Sequence, residues 1–425
     1  MTEWRNWSGS VTARPQQFLR PRTPADLAGI VQSASSLRVV GAGHSFMPLC
    51  ATDGTLVSLD AYEGDIVVAA DHQTVWAPAG WSLERLTAAL WARGLSLINQ
   101  GDINRQSLAG ALATGTHGTG AELGSISTQA CGFRLMLADG AIVECGPDTH
   151  PALYQAQRLS LGLLGVATEI RLRVMPAYHL EERITRVPLS DIGAHLDELA
   201  QATRHMEFFV LPYAEDAILK TLHPVAQSAS APGGSDLDDR IFKLLCDIGA
   251  AATPLIPSLQ RLMMRLSGKA RRRCGPAYQI FAADRAIKFE EMEYELPREN
   301  GWAALRDAIA YIRKKRLPIT FPFEFRLVAG DDIWLSPFNA GPGASISMHQ
   351  YAKMPWREAF SAIEPIFREA GGRPHWAKRH TLQTAGALYP KLAAFLAVRE
   401  TVDPDCIFAN APLRTLFGLQ PGKGN

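Results

Sequence analysis

Apolar residues at helical spacing open the readable part of the chain. Leu27, Ile30, Val31 and Ala34 recur on one face behind Thr23-Pro24-Ala25-Asp26, which supplies an N-cap, a proline at the first helical position and an acid in the first turn. Together they predict a helix that ends near Ser36. Leu37-Arg38-Val39-Val40 then predicts a strand, and Leu56-Val57-Ser58-Leu59, Ile66-Val67-Val68-Ala69 and Thr74-Val75-Trp76-Ala77 predict three more. Ser82-Leu83-Glu84 caps a second helix that turns Leu83, Leu86, Leu90 and Trp91 inward. The order of elements is mixed rather than strictly alternating, which excludes a simple doubly wound sheet.

Beyond about residue 178 the pattern changes. Arg183-Ile184-Thr185-Arg186-Val187 and Phe208-Phe209-Val210-Leu211 predict strands, and residues 228–235 form a Ser/Ala/Pro/Gly loop. Residues 240–275 read helical, with Leu244, Leu245, Leu259, Leu262, Met263 and Leu266, and end in Lys269, Arg271, Arg272 and Arg273. That basic run is either a solvated helix end or, with the Leu/Met face, a membrane-surface patch. Residues 301–316 predict an amphipathic helix (Trp302, Leu305, Ile309, Ile312). Phe321-Pro322-Phe323-Glu324-Phe325-Arg326-Leu327 alternates, with Glu324 and Arg326 on one face and aromatics on the other. Ser345-Ile346-Ser347-Met348-His349-Gln350-Tyr351 alternates likewise and sets Ser347, His349 and Tyr351 on one face. A lone charged strand face is usually solvated; two such strands paired would join their polar faces.

Three small-residue stretches interrupt this pattern. Val39-Val40-Gly41-Ala42-Gly43-His44-Ser45-Phe46 runs from β-branched residues into a glycine-spaced loop. Its small side chains let backbone N–H groups converge, which makes a phosphate nest that also holds a histidine. The stretch from Ala109 to Gly120 is nearly all small residues and offers the hydroxyls of Thr114, Thr116 and Thr119 to a large flat ligand. The third runs from Ser160 through Gly162 and Gly165 to Ile170, where a strand begins. No GxGxxG leads from a strand into a helix and no GxxxxGK(S/T) is present, which argues against the ordinary dinucleotide fold and the P-loop. The residues point to a flavin site with His44 as its covalent anchor.

Composition narrows the class. A chain of 425 residues exceeds one ordinary core and implies two domains. A net charge of +1 gives no global field that would favour nucleic acid. The 35 glycines and 27 prolines suit many turns between short strands. Cys50, Cys131, Cys145, Cys246, Cys274 and Cys406 form no metal-ligand spacing and read as free thiols of a reducing compartment. Met1-Thr2-Glu3-Trp4-Arg5-Asn6-Trp7 has no apolar h-region, and no apolar run reaches about 18 residues. The expectation is a soluble, cytoplasmic protein without a metal, with membrane-surface contact through residues 240–275 as the minor alternative.

Val-Gly-Ala-Gly-His-Ser-Phe at residues 40–46, followed by Cys50-Ala51-Thr52-Asp53-Gly54, resembles the phosphate loop of the vanillyl-alcohol oxidase superfamily. Within it the chain resembles the aldonolactone oxidoreductases: D-arabinono-1,4-lactone oxidase, L-gulono-1,4-lactone oxidase and dehydrogenase, and the related alditol oxidases. Further motifs are Asn99-Gln100-Gly101-Asp102, the stretch from Ala113 to Gly120, Ser160-Leu161-Gly162 with Gly165-Val166, Glu290-Glu291-Met292-Glu293-Tyr294 and Pro297-Arg298-Glu299-Asn300-Gly301. Glu324-Phe325-Arg326, His349-Gln350-Tyr351 and His375-Trp376-Ala377-Lys378-Arg379-His380 complete the set. The chain departs from the pattern at Ala377, often Gly in relatives, at Asn339-Ala340-Gly341-Pro342-Gly343 and at Phe408-Ala409-Asn410-Ala411.

The resemblance implies an α+β fold. A PCMH-type FAD-binding domain of two α/β subdomains takes residues 1–178, a substrate-binding cap with an antiparallel sheet takes 179–395, and 396–425 return to the FAD domain. It implies FAD bonded through its 8α position to His44. The implied cofactor contacts are Val40, Gly41, Ala42, Gly43, Ser45, Phe46, Gly101, Asp102, Ala109, Gly110, Ala111, Thr114, Thr116, His117, Gly118, Thr119, Gly165, Val166 and Ile170. The implied reaction oxidises a CH–OH group of an aldono-1,4-lactone, or of a polyol, with oxygen or another acceptor receiving the electrons. Glu324, Arg326, Lys378 and His349 are the expected catalytic residues. Glu324 holds Arg326 and the substrate hydroxyl, and clustered cations lower Lys378 toward a neutral amine. Arg326, Lys378 and His349 all remain candidates for the base. Ser347, Gln350 and Trp376 are the expected substrate contacts.

Overall fold

The computed structural model describes residues 3–226, 236–268, 270–283 and 287–420. The loop expected at 228–235 and Lys269 lie outside them. Thr23 caps helix Pro24–Ser33: its side chain accepts from the Asp26 amide, and the Asp26 carboxylate accepts from the Thr23 amide. This reciprocal box is worth about 1 kcal/mol. The helix ends before Ser36, because Ala34 already adopts an extended conformation. Leu37–Val39 follows as an edge strand of a parallel sheet with Thr55–Val57 and Gln17–Leu19. The glycine loop therefore leaves the carboxyl end of a parallel strand, where open α/β sheets bind ligands.

Helix Leu83–Trp91 starts at Ser82 as expected and buries Leu83, Leu86, Thr87 and Leu90. Trp91 is only half-buried and packs on His179 and Tyr278 instead. An antiparallel five-stranded sheet lies behind it, in the order Ile142–Cys145, Ala130–Met136, Val166–Arg173, Thr74–Pro78, Val67–Val68. Its third member begins at Val166, not at Ile170, directly after Gly165 turns the chain at φ +135°. Leu86, Leu90, Leu108, Leu112, Phe133 and Leu172 form a core with Trp376, Tyr389, Phe395 and Phe417. Ile333 and Leu335 also belong to this first core, so segments before Trp376 already pack in it, ahead of the expected residue 396.

A second core lies under an antiparallel eight-stranded sheet. Its order is Ala270–Pro276, His179–Pro188, Asp216–Val225, His205–Val210, Phe323–Val328, Gly343–Tyr351, Phe289–Pro297, Arg373–Pro374. Phe323, Phe325, Ile346, Met348, Met292 and Tyr294 pack in that core with Leu305 and Ile309 of helix Arg298–Lys315 and Phe367 of helix Arg357–Glu369. By strand alternation the other face carries Glu324 and Arg326, Ser345, Ser347 and His349, and Glu291, Glu293 and Glu295.

Residues 240–275 are not one helical run. Helix Asp236–Ala251 stops before Thr253-Pro254, and helix Ile256–Leu266 follows. The basic run lies on the edge strand Ala270–Pro276, where Arg272 pairs with Glu181 and Arg273 with Glu182 at 2.7 Å. Those acids belong to the neighbouring strand His179–Pro188. Among the described residues, no helix is long and apolar enough to cross a membrane.

Candidate active site

A cleft of about 460 Å³ opens over the glycine loop. Val40, Gly41, Ala42, Gly43, His44 and Ser45 form one wall, Ala109, Gly110 and Thr114 a second, and Gly165 and Val166 a third. Only glycine fits at 41, since an added Cβ would stand 2.1 Å from Ser107 Oγ. Gly43 adopts φ +69°. The amides of residues 41–45 find no acceptor among the described residues, whereas those of Val40 and Phe46 on either side are bonded to Val57 and Ala377. The Nε1 of Trp81 and Oε1 of Gln157 are buried in the same cleft without a partner. Buried donors and acceptors are rarely left so, and a ligand with phosphate oxygens and a polar heterocycle would satisfy both kinds. Arg38 braces the floor by donating to the carbonyls of Leu49, Leu161, Gly162 and Phe408.

Gly41→Ala tests this wall. Its methyl would push the Ser107 hydroxyl off the Gly110 amide, which it caps at 3.3 Å. The expected result is about 1 kcal/mol lost in denaturant unfolding and a lower flavin content, read from the visible spectrum of the purified protein.

His44 lines both this cleft and a smaller inner cavity of about 50 Å³. Its ring stacks on Trp7 at 5.5 Å and has no hydrogen-bond partner among the described residues. Burial and the nearby Lys378 charge lower its pKa to about 4. The imidazole is therefore neutral at pH 7, with a free nitrogen lone pair where the two cavities meet. Phe46, Gly101, Asp102, Thr116 and His117 line the inner cavity with Arg326 and Lys378. Gly118 and Thr119 border a separate small void beside Asp102 and Arg326. Ala111 and Ile170 line none of these spaces. They sit on inward faces of their helix and strand and are core residues.

The polar face of the large sheet ends at the inner cavity. Register sets Glu293 opposite Ser347, Ser347 opposite Glu324, and Glu291 opposite His349. Arg326 Nη2 donates to Glu293 Oε2 at 2.7 Å and to Ser347 Oγ at 3.2 Å, and its Nε faces Glu324 at 3.5 Å. The Ser347 hydroxyl donates to Glu293, and Lys378 Nζ donates to Glu291. His117 Nε2 donates to Glu293 at 3.0 Å and to Glu295 at 3.2 Å, while Nδ1 donates to the Gly118 carbonyl. Burial opposes the charge on His117, yet Glu295 and then Glu293 outweigh it and raise the imidazole to about 9. Burial raises Glu295 to about 7, with Glu293 adding to the effect and His117 opposing it. Glu293 resists burial and stays well below the ordinary range because Arg326 and His117 hold it ionised. His375 is neutral, lowered by burial to about 3, and its Nδ1 accepts from the Ala377 amide.

Several expectations change. Lys378 is not lowered: burial would do so, but Glu291 and Glu293 raise it, and it remains an ammonium group. Glu324 and His349 stand behind the cavity rather than lining it; His349 is held between the Pro322 carbonyl and Glu291. Ser347 also stands back, bonded to Arg326 and Glu293. Gln350 is one position out of phase with His349 and faces the other way, where it binds Pro318 and Thr320. Trp376 lies fully in the first core, stacked on Tyr389 and bonded to the Leu335 carbonyl at 2.7 Å. Glu291, Glu293, Glu295 and His375 were not among the expected site residues. Three of them recur at every second position of Phe289–Pro297, which was the available signal.

A nucleotide cleft that opens through a histidine onto buried cations and carboxylates defines an FAD-dependent oxidoreductase. Residues 15–146 match an FAD-binding domain, and residues 170–416 match the D-arabinono-1,4-lactone oxidase family. The chain belongs to that family. It is 36% identical to L-gulono-1,4-lactone dehydrogenase of Mycobacterium tuberculosis, over 98% of this chain and 99% of the relative. It is 28% identical to L-gulonolactone oxidase of Bos taurus, over 98% of each. Its fold matches a crystal structure of cholesterol oxidase from B. sterolicum at a TM-score of 0.83 with 16% identity, covering 98% of this chain and 96% of that one. The chain is an FAD-linked oxidoreductase acting on CH–OH donors.

Proposed function

We propose that this protein oxidises a CH–OH group of an aldono-1,4-lactone, with FAD bonded covalently to His44. The convergence of His44, Arg326 and Lys378 on one cavity carries this reading. The glycine loop, helix Leu108–Thr114 and the turn at Gly165 hold the cofactor; the large sheet presents the substrate. Bound FAD supplies the acceptor for the hydride of the carbinol carbon. The chain supplies the rest. Arg326 and Lys378 set two buried positive charges against the substrate oxygen and favour loss of its proton. The proton passes to Glu293 in step with transfer of the His117 Nε2 proton to Glu295 and re-protonation of Nε2 from Glu293, so that the net acceptor is Glu295, which burial holds near 7. Glu324 and Ser347 keep the Arg326 guanidinium in place. Trp7, Phe46 and Phe289 wall the cavity with aromatic surface.

A panel of aldono-1,4-lactones and alditols tests the substrate, with dye reduction and peroxide release both followed. Lactones should reduce the dye; turnover of alditols alone would overturn the substrate assignment. For the tether, acid-denatured wild type should keep its yellow colour in the pellet, and His44→Ala should release it to the supernatant. A colourless wild-type pellet removes the covalent bond from this account.

A further inference from the structure

The polar face of the large sheet carries a second cluster that the chemistry above does not use. Register sets Glu207 opposite Arg326 on one side and opposite Lys220 on the other, with His205 two positions along the same strand. Alternation turns all four side chains to one face. With Asp102 and Phe281 they close a small cavity of about 20 Å³. Asp102 and Arg326 are walls of this cavity and of the inner cavity alike.

His205 is 1% exposed, and its ring lies edge-on to Phe281 at 4.9 Å. Nδ1 donates to the Thr119 carbonyl at 2.8 Å. That bond fixes the tautomer and leaves the lone pair on Nε2, which is buried without a partner among the described residues. Burial lowers the imidazole to about 3, so at neutral pH Nε2 is an acceptor. Buried acceptors are rarely left unmatched. Lys220 stands in the same wall, paired with Glu207 at 2.8 Å and 3.8 Å from Glu182; an ammonium has three N–H groups to place. Glu207 and Asp102 balance Lys220 and Arg326, so no surplus charge calls for an ion. The volume admits one water or one hydroxyl group. A hydroxyl donates and accepts at once, which suits both His205 and Lys220.

We propose that this cavity is the subsite for the terminal hydroxyl of the lactone's exocyclic arm, which passes Asp102 and Arg326 to bond with His205 Nε2 and Lys220 Nζ. Arg326 reaches Glu293 with its Nη2 end, whereas Glu207 lies opposite its backbone. The subsite is set back along that side chain, so the group that reaches it is the one farthest from the reacting carbon. This rests on the lactone reading above and narrows it. The preferred substrate is a hexono-1,4-lactone, whose 1,2-dihydroxyethyl arm is one carbinol longer than the hydroxymethyl arm of a pentono-1,4-lactone. His205 touches the substrate away from the chemistry, and its contribution falls on KM.

The test uses the flavin-loaded protein and dye reduction with two matched lactones. One is the hexono-1,4-lactone that wild type turns over fastest; the other is its 6-deoxy analogue, which keeps every ring centre and lacks the terminal hydroxyl. Wild type should favour the parent at least about tenfold in kcat/KM, chiefly through KM. His205→Asn keeps an amide N–H for the Thr119 carbonyl but withdraws the acceptor. It should lose the preference and turn over the 6-deoxy analogue as wild type does, which also shows that it is folded. His205→Gln returns an amide oxygen near the Nε2 position and should restore part of the preference. Equal kcat/KM for the two lactones in wild type overturns the subsite and leaves the cavity to a water. A preference that survives in His205→Asn overturns it too, as does turnover confined to pentono-1,4-lactones; the lactone reading stands in all three cases. Turnover of no lactone overturns both.

Discussion

Arg326→Ala is expected to slow anaerobic flavin reduction by lactone about 10²- to 10³-fold. Arg326 is 7% exposed, and its guanidinium touches Glu293, Ser347 and Glu324. Its loss removes one of the two charges that stabilise the substrate oxygen. It also leaves Glu324 without its cation and Glu293 with His117 as its remaining bonded counter-ion. Removing one partner of a buried pair costs about 3–5 kcal/mol, so the melting temperature should fall as well. Arg326→Lys separates the two effects. A lysine restores the charge but presents one ammonium centre where the fork reached three groups. It should recover most of the stability and only part of the rate. Stopped-flow reduction and thermal melts of both variants decide the matter: wild-type reduction by Arg326→Lys would show that geometry at this position is unimportant.

What could be read in advance was what the chain encodes locally. The glycine loop needs no distant partner to be recognised, because spacing and small side chains suffice. The caps at Thr23 and Ser82 are likewise local. Period-two alternation placed Glu324, Arg326, Ser347 and His349 on polar faces, and the sheet does join those faces. The same rule already separates Gln350 from His349, since adjacent strand residues point apart. Phe289–Pro297 showed the same alternation, yet its importance depends on pairing with Gly343–Tyr351, and register across a sheet is non-local. The state of Lys378 was least legible. Its sign depends on whether the nearest charges are arginines or glutamates. The three glutamates stand on a strand far from Lys378 in sequence. Trp376 sits in a motif that resembles a binding stretch, but its ring is enclosed by Leu335, Tyr389 and Phe417 from other segments.

Glu293→Gln should lower kcat about 10²- to 10⁴-fold while leaving the flavin content intact. The amide keeps the shape and accepts from Arg326, but it cannot take a proton from the substrate. The pH profile gives the sharper reading. In the wild type, kcat should rise through about 7, as Glu295 loses the proton that blocks the relay, and fall near about 9, as the His117 imidazolium is lost. These limbs belong to the linked set Glu293–His117–Glu295 rather than to separate residues. Glu295→Gln distinguishes this origin from any other. It deletes the group that titrates near 7, so the lower limb should flatten. It also deletes the largest influence raising His117, so the upper limb should move to lower pH. Lysine or arginine titration would predict neither change, because Glu295 has no direct bond to Lys378 or Arg326. An unchanged upper limb in Glu295→Gln therefore removes His117 from the proton path, and an unchanged lower limb removes Glu295.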